Sequence, residues 1–198
     1  MTIKAVIWDL GGVLVRTEDW GPREALAAEL GLPRAALEER MFGGERGQKG
    51  QLGEITGEVH WQQLADVFGI EKDEFVSRFF AGDQLDMNLI EFIRSLKEKV
   101  KIGLLSNAFS TLRSSLEDDW QITEIFDGMI ISAEVGLMKP DAAIYQAAAH
   151  KLGVQAEQSL FIDDFPINVA GAKAIGMHAI RFENREQCIA AVEDALKR

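Results

Sequence analysis

Six polar residues follow apolar segments of this chain, directly or after a short turn. They are Asp9, Ser106, Asn107, Lys139, Asp163 and Asp164. Carboxylates act as nucleophiles or bind cations, while a lysine and a hydroxyl can hold anionic oxygens. The three carboxylates and the lysine carry a formal charge of about −2, which favours a bound cation, and Mg²⁺ prefers oxygen ligands of this kind.

The same groups fit the chemistry of a phosphate ester. A cation and Lys139 neutralise the phosphate oxygens, Ser106 and free backbone amides donate hydrogen bonds to them, and Asp9 attacks phosphorus in line with the leaving group. Gly11, two residues after Asp9, stands where this chemistry would favour a second carboxylate. The residues present therefore predict phosphoryl transfer, and the glycine bears on how firmly an enzyme can be assigned.

Such chemistry requires a sheet that brings the six residues to one edge. Five apolar runs predict strands buried on both faces: KAVIWD, KIGLLSN, DGMIISAE, SLFIDD and HAIRF. Helical patterns lie between them, clearest over Asp141–Leu152, with Asp141 as a cap, and over Glu186–Leu196. This alternation predicts an α/β fold with a doubly wound parallel sheet of the flavodoxin-like type. Ligands bind such sheets outside the carboxyl ends of the strands, so the six residues should converge there.

The segment 16–86 interrupts this alternation. It contains no convincing strand, but four helical stretches with apolar residues at helical spacing: PREALAAELG, RAALEERMF, EVHWQQLADVFG and EFVSRFF. Residues 43–57 hold six glycines and are predicted to form a loop, with Arg46 as a candidate for substrate contact. We therefore predict a core of residues 1–15 and 87–198, and a small helical cap inserted at 16–86 above the first strand.

The composition excludes several classes of function. A net charge of −11 with only 21 basic residues does not match nucleic-acid binding or attraction to an anionic membrane. The single cysteine, Cys188, cannot form an internal disulfide, and its helical surroundings predict a buried packing residue. No targeting segment or membrane-spanning run is visible, so the cytoplasm is the expected location.

Four segments, in this order, resemble the motifs of the haloacid dehalogenase superfamily over essentially the whole chain. DLGGVLV is similar to its first motif, LLSN to its second, the lysine of MKPD to its third and FIDDFPIN to its acidic fourth. The helical insertion lies where that superfamily places a cap. The resemblance is closest to small sugar-phosphate phosphatases and to the phosphatase domain of epoxide hydrolases. It implies Mg²⁺-dependent hydrolysis of a small phosphorylated metabolite by a monomer or a homodimer.

The resemblance also implies which residues perform the reaction. Asp9 is the nucleophile, which forms an aspartyl-phosphate, and it binds the metal together with Asp164 and the main-chain carbonyl of Gly11. In most phosphatases of the superfamily an Asp at the position of Gly11 protonates the leaving group, a contribution worth about a hundredfold to ten-thousandfold. Metal binding should survive its loss, and an anomeric or acyl phosphate should be affected least.

The remaining residues are implied to bind phosphate or to support the site. Ser106 and Asn107 bind and orient the phosphate, and Lys139 stabilises both the phosphate and the charged nucleophile. Asp163 holds the lysine in place, and Asn168 orders the waters of the metal.

Two alternatives are open. A 2-haloacid dehalogenase uses the same nucleophile to displace halide from carbon without a metal, and it also lacks the acid two residues later. Asp163 and Asp164 argue against this alternative, because such an enzyme is expected to lack the acid of the fourth motif. A catalytically weak binding or regulatory protein on the same scaffold is favoured by Gly11 alone.

Overall fold

The computed structural model describes residues 2–197 and has a parallel sheet at its centre. The strands are β1 (Ala5–Trp8), β2 (Val15–Thr17), β3 (Asp83–Leu85), β4 (Lys101–Ser106), β5 (Gly128–Ile131), β6 (Ser159–Asp163) and β7 (His178–Arg181). Five of them form the parallel sheet in the order β5-β4-β1-β6-β7. These are the five runs predicted from the sequence, and the doubly wound α/β fold is confirmed. Burial on both faces is wrong for β7, which lies at the edge of the sheet and has no buried residue.

Between β2 and β3 the chain forms five helices. They are α1 (Gly21–Glu29), α2 (Arg34–Phe42), α3 (Gly44–Gln51), α4 (Gly57–Phe68) and α5 (Lys72–Phe80). Their buried side chains form a hydrophobic cluster that includes Leu26, Leu37, Trp61 and Phe75. We call residues 16–86 the helical insert.

Helix α3 shows that the loop predicted over residues 43–57 is wrong. Glycine in a helix interior costs about 1 kcal/mol relative to alanine, which is why the glycines predicted a loop. Here they allow close packing: a Cβ on Gly47 would lie 2.5 Å from the carbonyl carbon of Phe42, and one on Gly50 would lie 2.6 Å from the Phe109 ring. Residues 44–51 thus form a helix in which the close approach of Phe42 and Phe109 leaves no room for a larger side chain at Gly47 and Gly50.

The prediction that segment 16–86 contains no strand is also wrong at its two ends. β2 and β3 pair antiparallel, with Thr17 opposite Asp83 and Val15 opposite Leu85. The Thr17 hydroxyl donates a 2.6 Å hydrogen bond to Asp83. Strands of three residues are too short to show an alternating pattern in the sequence. The chain thus enters and leaves the helical insert through two neighbouring strands.

The remaining helices cover the two faces of the sheet. They are α6 (Met87–Leu96), α7 (Leu112–Ser114), which continues as a π-helical turn at Ser115–Asp119, α8 (Ser132–Val135), α9 (Ala142–Lys151), α10 (Pro166–Ala174) and α11 (Arg185–Leu196), with 3₁₀ turns at Thr123–Ile125 and Ala156–Gln158. Val6 and Trp8 of β1 pack in the cluster that holds α6 and α11, whereas Ala5 and Ile7 pack in the cluster that holds α9 and α10. Alternate residues of the central strand are thus buried on opposite faces.

Two residues of these helices, Cys188 and Asp141, were given roles in the sequence analysis. Cys188 is buried in α11, as predicted. Asp141 is the N-cap residue of α9, but its side chain makes no capping hydrogen bond. Within residues 2–197, no helix has the length and apolar character needed to cross a bilayer.

Candidate functional site

Asp9 lies at the middle of the carboxyl edge of the sheet, directly after the central strand β1. Its amide donates a 2.9 Å hydrogen bond to the oxygen of Ile162 on the neighbouring strand β6. The side chain is buried, and its Oδ1 accepts hydrogen bonds from the Leu10 amide at 2.7 Å and lies 2.9 Å from Lys139 Nζ. Both contacts are made by Oδ1, so Oδ2 is the carboxylate oxygen available to a ligand.

Lys139 lies between two carboxylates. Its Nζ is 2.9 Å from Asp9 Oδ1 and 2.7 Å from Asp163 Oδ2, and all three side chains are at least nine-tenths buried. Asn107 holds the main chain of the lysine from both sides: its Oδ1 accepts from the Lys139 amide at 2.8 Å and its Nδ2 donates to the Lys139 oxygen at 2.9 Å. Asn107, directly after β4, therefore fixes the loop that carries Lys139.

Asp163 is completely buried and accepts hydrogen bonds on both oxygens. The Phe165 amide donates to Oδ1 at 2.8 Å, and Asn168 Nδ2 lies 3.1 Å from each oxygen. Lys139 contacts the other side of the carboxylate, as described above. With these donors around it, Asp163 can orient Lys139, which is the supporting role implied by the resemblance.

Asp164 is bonded differently from its neighbour. Its Oδ1 is buried and has no hydrogen-bond partner among residues 2–197. Asp9, Asp163 and Asp164 each offer an oxygen, and these oxygens lie within 4.8 Å of one another. Gly12, with φ +78°, allows this approach, because a Cβ there would lie 2.6 Å from Asp164 Cγ. An unpartnered buried oxygen beside two more carboxylates fits a hard divalent cation such as Mg²⁺.

The pKa shifts of the carboxylates also favour a bound cation. Burial raises the pKa of Asp9 to about 7; Lys139 opposes this rise, and Asp163 adds to it. Burial, and then the charge of Asp163, also raise the pKa of Asp164. One lysine therefore does not fully compensate the carboxylates at neutral pH, and a bound cation would stabilise their charged forms.

The other predicted residues lie at the same edge or beside it. Ser106 is the last residue of β4 and is buried, and Asn168 is buried in the first turn of α10. Gly11 is exposed, and a Cβ added to it would meet nothing within 4 Å. Arg46 is an exposed residue of α3, and its contact with a substrate is still a prediction.

The loop after β4 also joins the site to the helical insert. Phe109, three residues after Ser106, stacks on His60 with ring centroids 4.4 Å apart and lies edge-on to Trp61 at 4.8 Å. The Gly57 amide at the start of α4 donates a 3.0 Å hydrogen bond to the Ser110 hydroxyl. Sequence reasoning did not find Phe109, because an apolar residue in a loop carries no motif.

Comparison with known proteins adds independent information. A family model described as a haloacid dehalogenase-like hydrolase matches residues 3–176. The chain is 27% identical to a sesquiterpene phosphatase from Aspergillus oryzae, over 89% of this chain and 88% of the relative. It is 24% identical to a D-ribitol-5-phosphate phosphatase from Bacteroides thetaiotaomicron, over 92% of this chain and 93% of the relative.

A solved structure shares the fold. It is that of a HAD family enzyme from Bacteroides thetaiotaomicron in complex with magnesium and inorganic phosphate. The TM-score is 0.75 at 21% identity, and the match covers 90% of this chain and 93% of that one.

Proposed function

The chain belongs to the haloacid dehalogenase-like hydrolases, and from this premise we propose that it is a Mg²⁺-dependent phosphatase of a small phosphomonoester, acting through an aspartyl-phosphate on Asp9. The observation that carries the proposal is the arrangement at the carboxyl edge of the sheet. A buried carboxylate has one oxygen fixed by an amide and a lysine, and it lies beside a second carboxylate with an unpartnered buried oxygen. An acyl-phosphate mechanism needs a nucleophile held in this way and a cation close to it.

In the first half of the reaction, Asp9 Oδ2 attacks phosphorus. A bond forms between this oxygen and phosphorus while the ester bond breaks, and the alcohol oxygen leaves with the electron pair and takes up a proton from water. Lys139 and the Ser106 hydroxyl hold the phosphoryl oxygens as their charge develops. In the second half, water attacks the phosphorus of the aspartyl-phosphate and gives up a proton to solvent. The bond between phosphorus and Asp9 Oδ2 breaks, so that phosphate is released and the carboxylate is restored.

Asp9, Asp164 and the main-chain oxygen of Gly11 are the groups that would hold Mg²⁺, and Asn168 would help to order its waters. When bound, the ion neutralises charge on the carboxylates and on the phosphate. Asp163 is already surrounded by protein donors, so its role is to keep Lys139 in position.

Because residue 11 is a glycine, no acidic side chain stands two residues after Asp9 to donate a proton to the leaving group. Substrates with good leaving groups, such as anomeric or acyl phosphates, depend least on such a donor. We therefore expect turnover to follow the pKa of the leaving group more steeply than in an enzyme that has an acid at this position.

The helical insert, residues 16–86, is proposed to act as a cap over a core made of residues 1–15 and 87–198. Its contact with the loop after β4, through Phe109, brings it next to the phosphate-binding residues. Closure of a cap excludes bulk water before the attack on phosphorus. Arg46 on α3 is the proposed cap residue for contact with the substrate.

The substrate class is proposed to be a sugar phosphate or a similar metabolite, used in the cytoplasm. The compounds for which the two relatives are named differ widely in polarity, because one is a sesquiterpene and the other is ribitol 5-phosphate. The acidic chain, with a net charge of −11, favours a small metabolite rather than a nucleic acid as the ligand. Its assembly as a monomer or a homodimer does not affect this assignment.

The test is a substrate panel measured with purified protein. Sugar phosphates, a prenyl phosphate, an acyl phosphate and a chromogenic aryl phosphate are offered with Mg²⁺ and with a chelator. Wild type is compared with Asp9→Asn, which keeps the size of the side chain but removes the nucleophilic charge. Mg²⁺-dependent release of phosphate that is lost in the variant is the expected result.

Other results of the panel would support the alternatives. Release of halide from a 2-haloacid in the presence of chelator would identify a dehalogenase. Tight Mg²⁺ binding without turnover of any substrate would identify a binding or regulatory protein.

A further inference from the structure

Tyr145, the one tyrosine in the chain, connects two segments that carry site residues. It lies in α9, a short distance after Lys139, and its side chain is completely buried. Its hydroxyl donates a 2.8 Å hydrogen bond to the main-chain oxygen of Asn168, in the first turn of α10. This bond joins the helix that follows Lys139 to the helix that follows Asp163.

A second contact fixes the same two segments. Gly171 of α10 lies so close to the residue after Lys139 that an added Cβ would be 2.8 Å from the oxygen of Pro140 and 3.0 Å from the Tyr145 hydroxyl. Asn168 and Gly171 lie about one helical turn apart. The first two turns of α10 are therefore held against the segment that carries Lys139 at two points.

From Asn168 the connection continues into the site. Its side-chain amide lies 3.1 Å from both oxygens of Asp163, which in turn lies 2.7 Å from Lys139 Nζ. Lys139 Nζ is 2.9 Å from the nucleophile Asp9. A shift of the first turn of α10 would move the Asn168 amide, and the orientation of the buried carboxylate and lysine would change with it.

The ring and the hydroxyl of Tyr145 have separable tasks. The ring packs edge-on against Phe161 of β6, with centroids 5.4 Å apart, and Lys139 Nζ lies 5.4 Å from the centroid of the same Phe161 ring. A phenylalanine would preserve this packing. The hydroxyl is the part of Tyr145 that contacts α10 through a hydrogen bond.

We propose that Tyr145 is a positioning residue, whose hydroxyl fixes the first turn of α10 relative to Lys139 and so maintains the arrangement of Asp163, Lys139 and Asp9. The effect on turnover rests on the proposed phosphatase function. The effect on the Asn168 side chain does not, because it concerns the geometry of the protein alone.

The test compares Tyr145→Phe with Ser159→Ala. Ser159 is also buried in the core and donates a 3.0 Å hydrogen bond to a main-chain oxygen, that of Gln155, but at the opposite end of β6. Both variants lose one hydroxyl bond, so their thermal stabilities should fall by similar amounts. For Tyr145→Phe we expect kcat about tenfold lower with KM unchanged, because small misplacements act on the chemical step. Ser159→Ala should keep the wild-type kcat.

A second readout does not depend on activity. The side-chain amide signals of Asn168 in NMR spectra should shift in Tyr145→Phe and stay unchanged in Ser159→Ala. When the wild type turns over a phosphate ester, the proposal requires both the shift and the lower kcat, and the absence of either in Tyr145→Phe overturns it. If wild type turns over no phosphate ester, the proposed function fails, and the Asn168 signals alone decide whether Tyr145 positions this residue.

Failure of Tyr145→Phe to fold would leave a test in the wild-type protein. The hydroxyl proton of a single buried tyrosine can be assigned without ambiguity. Slow exchange with water and proximity to Asn168 would support the proposed hydrogen bond. Rapid exchange would overturn the positioning role of Tyr145, because that role depends on this hydrogen bond.

Discussion

At the carboxyl edge of the sheet charged groups are buried and held by several hydrogen bonds, whereas the helical insert buries mainly aromatic and aliphatic side chains. Lys139 and Asp163 have side chains that are at most 1% exposed. In the insert, Phe75 is completely buried, while the ion pair of Lys49 with Glu45 lies largely in solvent. The two regions are thus stabilised by different interactions.

Arg23 is an exception within the insert. It is buried, donates to the main-chain oxygen of Phe79 and pairs with Glu38 and Asp83. Its guanidinium also lies 4.1 Å from the centroid of the Phe79 ring. The buried charge of Arg23 therefore also has several partners, but all of these partners belong to the insert.

This contrast predicts which region of the protein tolerates substitution. A buried ion pair that loses one partner leaves an uncompensated charge, which is costly. Aromatic and aliphatic packing tolerates changes that preserve volume. We expect substitutions at the edge of the sheet to change the chemistry, and substitutions inside the insert to change mainly stability.

The strongest test of this contrast is Lys139→Met, which removes the cation between two buried carboxylates. We expect kcat to fall by about a hundredfold to a thousandfold, because the charge proposed to stabilise the phosphoryl group is lost. The free energy of unfolding should fall by about 3–5 kcal/mol. Enzyme kinetics and chemical denaturation measure the two effects.

Lys101→Met is the matched control. Lys101 is exposed and pairs with Asp127 at 3.0 Å, so its loss should cost less than about 1 kcal/mol and leave kcat unchanged. Comparable kcat values for the two lysine variants would contradict the role of Lys139.

Gly11→Asp tests whether the missing acid limits the rate. A Cβ added at this position would meet nothing within 4 Å, so the substitution should fold normally. For a substrate with a poor leaving group we expect kcat to rise by about tenfold to a hundredfold, as an acid would supply the proton. Gly11→Asn, which has the same size but cannot donate a carboxylic proton, should not raise kcat.

Phe109→Leu tests the junction between the two regions. Phe109 contacts the rings of His60 and Trp61 in the insert, but belongs to the loop after β4. We expect kcat/KM to fall about tenfold, since the loop position changes. Phe75→Leu, inside the insert, should lose similar stability and keep kcat/KM; equal kinetics in both variants would argue against coupling through Phe109.

Asp86 is a second junction, where the smallest effect on activity is expected. Its buried carboxylate contacts Arg16 at 2.8 Å and Arg185 at 3.0 Å, and it accepts from the Leu89 amide. Burial acts to raise the pKa of Asp86, but these hydrogen bonds outweigh it and hold the pKa below its ordinary value. We expect Asp86→Asn to lose about 2 kcal/mol of stability at pH 7 with little change in kcat.

The pH dependence of that loss has a definite sign. Since the pKa of Asp86 is lower in the folded protein than in the unfolded chain, its stabilisation is complete above the unfolded pKa of about 3.9. It is lost as the pH falls through the folded pKa. Denaturation of wild type and Asp86→Asn should therefore differ at pH 7 and converge in strong acid; a constant difference would contradict the charged role of Asp86.

The sequence predicted the core of the protein well because its signals are local. β1, β4 and β6 are mainly apolar runs, and the polar residues at or directly after their ends lie at the carboxyl edge by the geometry of the fold. Asp9 and Asp163 could therefore be placed near each other without a structure. The same reasoning failed for α3, where the packing of Gly50 against Phe109 depends on a contact distant in sequence.

The details of the site could not be predicted for a related reason. That Asn107 holds the main chain of Lys139 depends on the relative positions of two loops, which no local pattern records. The bond from Tyr145 to Asn168 likewise joins two helices whose separation is set by the sheet. The motif positions predicted which residues lie close together, but they did not predict which of their atoms form hydrogen bonds.

The β2–β3 ribbon has a consequence for protein engineering. Thr17 and Asp83 lie opposite each other, so the chain enters and leaves the intervening helices at one narrow stem. A tight turn of a few residues could close this stem in place of the helices. A helical segment from another source could also be joined to this stem without altering the spacing of β1 and its neighbouring strands. On the proposed role of the insert as a cap, substrate preference could then be exchanged together with this one segment.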